Sequence, residues 1–334
     1  VQARTQRVID QGRSTSINVD QRRSTSINVD QRRSRTTRRT PVARPTWVVG
    51  VDGSEGSRTA LAWAAAQAGG RDVEIVALCT WRAPILPSDA IGQPALLMDW
   101  GDFEGELRRR VDEMVESVRR GDGSTAAGTT PHIVVRVVQG RPAHTLIEAS
   151  REAELLVVGS QGRGGLSGVV LGSVSRQCAT HAEVPVAVVP PATASIPIRN
   201  LVVGFDGSRN ARAAVEWALE FAGPDAKIEV VRSVELAPWM EEAGVRERFP
   251  AEVDAAIAEF QSDLAELDPD GRTRQTFKLQ DARQALAEAA EGTDLVVLGA
   301  RGHRRFAATL LGSVSTWMLH GASRPTVIVP DPQK

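Results

Sequence analysis

Residues 155–175 read LLVVGSQGRGGLSGVVLGSVS, and residues 295–315 read LVVLGARGHRRFAATLLGSVS. Each opens on a short apolar run (Leu155 to Val158; Leu295 to Leu298) with the length and content of a buried strand. The loops that follow share one spacing. Gly159 and Gly162 are followed after nine residues by Gly172-Ser173, and Gly299 and Gly302 after nine residues by Gly312-Ser313. Both end in Leu-Gly-Ser-Val-Ser, where a helix is predicted to open. A single glycine loop is weak evidence, but two copies in otherwise diverged halves point to a repeated strand–loop–helix unit with a phosphate-type site in each.

Outward from these loops the chain alternates strand and helix. In the first half strands are predicted at Trp47–Val51, Val73–Thr80, Ile133–Val138 and Val184–Val189. Helices are predicted at Ser57–Gln67, around Leu107, Val111, Met114 and Val118, at Ala143–Ser150, and from Ser173 to about His181. The second half restarts with Asn200–Phe205, Arg209–Ala222 and Ile228–Val234. It continues with a helix marked by Ile257, Phe260, Leu264 and Leu267, then Thr273–Lys278, Ala282–Ala290 and Thr326–Val329. Val49-Gly50-Val51-Asp52-Gly53-Ser54 realigns with Val203-Gly204-Phe205-Asp206-Gly207-Ser208, and Trp63 and Trp217 each lie 11 residues beyond their aspartate. The alternation predicts a parallel α/β sheet in each half. The expected domains are 46–190 and 198–334, joined by a linker at 191–197.

Bulk composition agrees. A chain of 334 residues, 42% hydrophobic, has room for two domains with their own cores. No apolar run is long enough for a membrane span, and the polar, arginine-rich start lacks a signal-peptide core. Cys79 and Cys178 have neither metal-type spacing nor a disulfide framework, so a cytoplasmic location is expected. Residues 1–45 hold eleven arginines and three aspartates, about +8, which leaves about −9 on the rest of a chain of net charge −1. That acidic remainder makes nucleic acid an unlikely partner.

Residues 1–45 are a low-complexity tail in which Ser14 to Arg23 (STSINVDQRR) recurs as Ser24 to Arg33. With little apolar surface to offset chain entropy, it is expected to be disordered. An arginine arm can bind an anionic partner, but a chain beginning with valine also fits a start misassigned at a GTG codon.

A loop from strand to helix turns unpaired N–H groups and the positive end of the helix dipole toward a ligand. On this reading Gly159, Gly162, Gly172, Ser173, Val174 and Ser175 form one phosphate cradle, with the Ser173 and Ser175 hydroxyls as donors. Gly299, Gly302, Gly312, Ser313, Val314 and Ser315 form the other. Asp52 and Asp206 end the first strands, where open α/β sheets place ligands. Each carboxylate can accept from a ribose hydroxyl or an adenine amino group. Asp-Gly-Ser before an alanine-rich helix is also a capping sequence, with Ser54 or Ser208 as the cap.

With these residues in view, the chain resembles the ATP-binding branch of the universal stress proteins in tandem form, over about residues 46–334. The resemblance rests on the G-x2-G-x9-G-[S/T] spacing, the aspartate ending the first strand, and Gly140-Arg141-Pro142 as the G-x-P turn after the third. It implies two Rossmann-like (adenine nucleotide alpha hydrolase-like) domains, each a five-stranded parallel sheet of order 3-2-1-4-5 flanked by helices. It implies ATP as ligand, with Mg2+ as the cation a triphosphate would bring. Adenine would lie near Asp52 and Thr80, or near Asp206 and Ser233, with the triphosphate along the loop. The apolar edge strands would pair within the chain as a pseudo-dimer, leaving a homo-oligomer open.

The halves differ. The third turn of the second half reads Gln280-Asp281-Ala282, and its loop carries Arg304-Arg305 where the first has Gly164-Gly165. A regulatory ATP-binding role in bacterial stress or dormancy is expected, with slow hydrolysis at most and no enzyme. The loops have no P-loop Lys-Ser/Thr pair, and nothing supplies a phosphoryl-transfer clamp. The alternative is an adenylating or ATP-hydrolysing enzyme of a related fold, although Asp52-Gly53-Ser54-Glu55-Gly56-Ser57 matches neither of its expected motifs. The five histidines lack metal spacing, so no metal site is expected.

Overall fold

The computed structural model describes residues 44–82, 100–120, 131–162, 171–191, 193–194, 196–235, 249–302 and 311–331. The first half runs β1 (Thr46–Val51), α1 (Glu55–Ala68), β2 (Glu74–Trp81), α2 (Trp100–Arg120), β3 (His132–Gln139), α3 (Pro142–Ser150), β4 (Leu155–Gly159), α4 (Ser173–His181) and β5 (Val186–Val189). The second half repeats it as β6 (Asn200–Gly204), α5 (Arg209–Phe221), β7 (Lys227–Ser233), α6 (Pro250–Leu267), β8 (Thr273–Lys278), α7 (Ala282–Ala290), β9 (Leu295–Gly299), α8 (Ser313–Gly321) and β10 (Thr326–Val329).

Within each half all strand pairs are parallel, in the order β3-β2-β1-β4-β5 and its repeat β8-β7-β6-β9-β10. This is the expected α/β architecture and strand order. The two edge strands then meet antiparallel, with Thr326 opposite Val188, Val327 opposite Ala187 and Ile328 opposite Val186. One ten-stranded sheet results. Every residue of β5 and β10 is buried, because each strand has neighbours on both sides and helices on both faces.

Alternation along the strands sends side chains to opposite faces. Val49, Val51 and Val203 join α1, α2, α5 and α6 in one apolar layer that runs through both halves. Val48, Val158 and Val202 join α3, α4, α7 and α8 in the other. Helix α2 buries Val111, Val115 and Val118 and holds Leu107 and Met114 half-buried, so its apolar face includes Val115 besides the four predicted positions. Strand β5 starts at Val186 rather than Val184. Pro185, which has no N–H to give a ladder, contributes only its carbonyl, to Leu156 N at 3.0 Å. Among the described residues no helix is long and apolar enough to cross a membrane.

Candidate functional site

Asp52 follows β1 directly, and Gly53 turns the chain with φ 81°, a left-handed conformation suited to glycine. This turn brings Ser54 back so that its N–H (2.9 Å) and hydroxyl (2.5 Å) both donate to Asp52 Oδ1. The Ser54 hydroxyl also accepts from Ser57 N at 3.2 Å, so serine caps α1 and the aspartate is held above it. The other carboxylate oxygen faces the glycine loop: a Cβ on Gly162 would stand 2.9 Å from Asp52 Oδ2. Only a bare backbone can pass so close.

The loop's other glycines have separate duties. A Cβ on Gly159 would lie 2.7 Å from the Gly56 carbonyl oxygen, so this glycine lets β4 pass against the first turn of α1. Gly172 donates to the Ser160 carbonyl at 2.8 Å, tying the loop's far end to its start. It also stands at the N-cap of α4 without any side-chain cap, where α1 and α5 are capped by serine. The first amides of α4 therefore face the loop unsatisfied by a cap, with Ser173 exposed and Val174 half-buried beside them. Ser175 departs from the expected outward donor. It is 3% exposed, and its hydroxyl donates to Ser160 O (3.2 Å) and Gly172 O (3.3 Å), which fixes the turn.

The second half repeats the plan with changed details. Gly207 has φ 81°, and Ser208 N donates to Asp206 Oδ1 at 3.0 Å. A Cβ on Gly302 would clash with Asp206 Oδ2. Asn210 replaces Gly56, and its backbone carbon lies 2.7 Å from the Cβ position of Gly299. The Ser208 hydroxyl here reaches the loop carbonyl of Arg301 (3.3 Å) and accepts from Ala211 N (3.3 Å). Gly312 donates to Ala300 O at 2.8 Å and leaves α8 without a side-chain cap. Ser313 is exposed and Val314 half-buried, while buried Ser315 donates to Gly299 O at 2.8 Å.

Thr80 lies at the carboxyl end of β2, one residue past the Val51–Cys79 register pair, and is half-buried beside Asp52's strand. Ser233 holds the matching place at the end of β7, but its hydroxyl donates to the Gln280 carbonyl. The third turn therefore differs in kind. Pro142 starts α3 in the first half, whereas in the second the Asp281 carboxylate caps α7 by accepting from Arg283 N (2.9 Å) and Gln284 N (3.1 Å). Gly164-Gly165, His303 and Arg304-Arg305 lie outside the described residues. No group of three metal-ligating side chains is gathered among the described residues.

Two aspartates on two first strands, each under a repeated G-x-x-G loop, narrow the comparison to families with that layout. The universal stress protein family profile matches residues 46–190 and again 197–330. The chain belongs to the universal stress protein family. A universal stress protein of Mycolicibacterium smegmatis is 31% identical over 290 residues, covering 84% of this chain and 96% of its own length. One from Mycobacterium tuberculosis is 29% identical, covering 84% of this chain and 95% of its own. Among solved structures, a universal stress protein from Archaeoglobus fulgidus superposes with a TM-score of 0.58 at 18% identity, covering 86% of this chain and 98% of that one. That last likeness speaks to the fold.

In this universal stress protein the described ends of the two glycine loops, Gly159 to Gly162 and Gly299 to Gly302, keep one relation to the first-strand aspartates. Sequence reading did not find Gly56, Gln161 or Asn210. Gly56 was legible only as one residue of Asp52-Gly53-Ser54-Glu55-Gly56-Ser57, and its partner, the Gln161 carbonyl, is brought to it by the fold. Cys178 lies on the buried face of α4, where burial pushes its thiol pKa up to about 12, so it is a core residue without thiolate chemistry at neutral pH.

Proposed function

We propose that this universal stress protein binds ATP at the carboxyl ends of its first and fourth strands and acts by occupancy rather than turnover. The observation that carries the reading is the absence of room for a side chain between the G-x-x-G backbone and the aspartate in both halves. Backbone amides, a carboxylate and an uncapped helix start then lie along one path. Such a donor set fits a triphosphate, which brings negative charge to the helix ends, with Mg2+ if it is carried along.

In the first half Asp52 and Thr80 take the nucleoside by accepting and donating hydrogen bonds. Gly159 and Gly162 keep the loop backbone clear. Gly172, Ser173, Val174 and Ser175 present the start of α4, with Ser175 bracing the turn from inside. Asp206, Ser233, Gly299, Gly302, Gly312, Ser313, Val314 and Ser315 have the same duties in the second half. That half is the weaker site, because Ser233 and Ser208 are both committed to backbone carbonyls. The β5–β10 pairing supports reading the chain as an intramolecular pseudo-dimer, and membership of the family supports reading its role as regulatory, in stress or dormancy in the cytoplasm.

Isothermal titration with ATP, with mass spectrometry of the protein as purified, tests the reading. Two sites of unequal affinity are expected, with Asp52→Ala abolishing the tighter one and Asp206→Ala the weaker. A stoichiometry of one that survives Asp206→Ala leaves the second half as scaffold. No ATP binding at either site overturns the reading. Substrate-dependent pyrophosphate release would replace it with an adenylating enzyme.

A further inference from the structure

The seam between the halves is not symmetric. Gln67 of α1 and Phe221 of α5 hold equivalent places, each 15 residues beyond its aspartate. The Gln67 side-chain amide donates to Ile196 O (2.7 Å) and accepts from Ile198 N (3.2 Å), which ties α1 to the linker. The Phe221 ring instead stacks on Trp217 (centroids 4.4 Å) and Trp47 (5.9 Å). A cavity of about 730 Å³ opens there at the amino ends of β1, β4 and β5. That volume lies within the range of about 300–1,000 Å³ typical of small-molecule sites, which favour such interfaces.

The aromatic wall has no copy in the repeat. Leu201 stands where the first half has Trp47, Gln67 where the second has Phe221, and Trp63, the match of half-buried Trp217, is only 1% exposed. The remaining wall is charged and strongly one-sided. Asp72, Glu154, Glu183 and Glu220 line it against a single cation, Arg71. Asp72 pairs with Arg44 (3.3 Å) and Glu183 with Arg151 (3.9 Å). Among the described residues Glu220 has no ion-pair partner within 4.0 Å, and the charge of Glu154 is answered only at longer range, by Arg71. The ring face already accepts a cation: the Arg71 guanidinium lies 4.8 Å from the Phe221 centroid while donating to Phe221 O (2.5 Å) and Gln67 O (3.0 Å).

We propose that this cavity binds a small organic cation, an ammonium carried on a flat apolar body. The body lies against Trp217, and the ammonium sits between Glu154 and Glu220. An anion would meet four carboxylates, and a neutral ring would leave Glu220 without a counter-charge. The site is independent of the glycine loops and stands or falls apart from the nucleotide reading.

Three probes of one shape test it on the full chain by calorimetric titration near neutral pH: 2-phenylethylamine, 2-phenylethanol and phenylacetate. The amine is expected to bind about three- to five-fold more tightly than the alcohol, and phenylacetate most weakly, as an ammonium–carboxylate pair at an exposed site implies. Trp217→Leu and Glu220→Gln should each weaken the amine by about two- to five-fold. Glu220 is exposed on α5, so its variant tests charge without disturbing the core. Equal affinity for all three probes, tightest binding of phenylacetate, or amine binding unchanged in both variants would overturn the proposal.

Discussion

At the scale of single residues, the glycines of the loop are not interchangeable. Gly159 faces backbone, with its absent Cβ 2.7 Å from Gly56 O and 2.8 Å from Gly56 C, and backbone cannot step aside. A Cβ on Gly172 would stand 3.2 Å from Ser175 Oγ, 3.3 Å from Ser160 O and 3.9 Å from Gln161 Cα, contacts that shifts of a few tenths of an ångström relieve. Gly159→Ala is therefore expected to cost about 1–3 kcal/mol, as overpacking does, and Gly172→Ala clearly less, both read from urea denaturation midpoints. Equal losses would contradict this division of roles. The spacing of these glycines was legible because it recurs in the chain. What each one touches was not, since Gly56 and Asn210 come to the loop from far upstream through sheet order. The inward turn of the Ser175 and Ser315 hydroxyls was hidden for a related reason: a serine at a helix start can serve ligand or loop, and burial decides.

Among elements, the clearest contrast is between α3 and α7. Sequence shows that the second half lacks the glycine and proline of the third turn, which reads as loss. The structure has Asp281 capping α7 through two backbone N–H groups, so one helix start has been exchanged for another. Asp281→Ala should lower stability by about 1 kcal/mol in chemical denaturation. An unchanged midpoint would mean that the α7 amides find other partners. Strand β8 has a similar anchor in Asp268, which accepts from Arg272 N (3.0 Å) and Thr273 N (2.7 Å). Burial alone would raise the pKa of this carboxyl, but those N–H groups, the Thr273 side chain and the Arg272 charge outweigh it and hold the value below the usual carboxylate range. A pKa lower in the folded than in the unfolded state adds stability above the unfolded value, about 3.9. That contribution fades as pH falls through the folded value. Asp268→Asn should thus be less stable than the parent near neutral pH and lose less on acidification, measured as urea midpoints across an acid series. Parallel pH curves for the two proteins would remove Asp268 from the acid limb.

At the scale of the whole molecule, apolar β5 and β10 announced themselves in the sequence as edges that need covering. Their partner followed only from topology, because pairing Ala187 with Val327 joins residues far apart in the chain. The antiparallel join turns two five-stranded sheets into one, and a single apolar layer then runs beneath both halves. The linker contributes less: Ala194, Ile196 and Pro197 are exposed, and its main tie to the body is the Gln67 clamp on Ile196 and Ile198. Covalent continuity should therefore be dispensable once the chain has folded. Cleavage within residues 191–197 by a protease site placed there is expected to leave one species of unchanged size in gel filtration, separable only in denaturant. Ala187→Glu puts a charge into a position that is fully buried against Val327, where it has no counter-ion in the strand pair. The same cleavage in that variant should release the halves or unfold them. If the cleaved parent came apart in plain buffer, the linker rather than the sheet would be what holds the halves together. If it stays whole while cleaved Ala187→Glu does not, the four-residue strands at the centre of the sheet are the joint on which both halves depend.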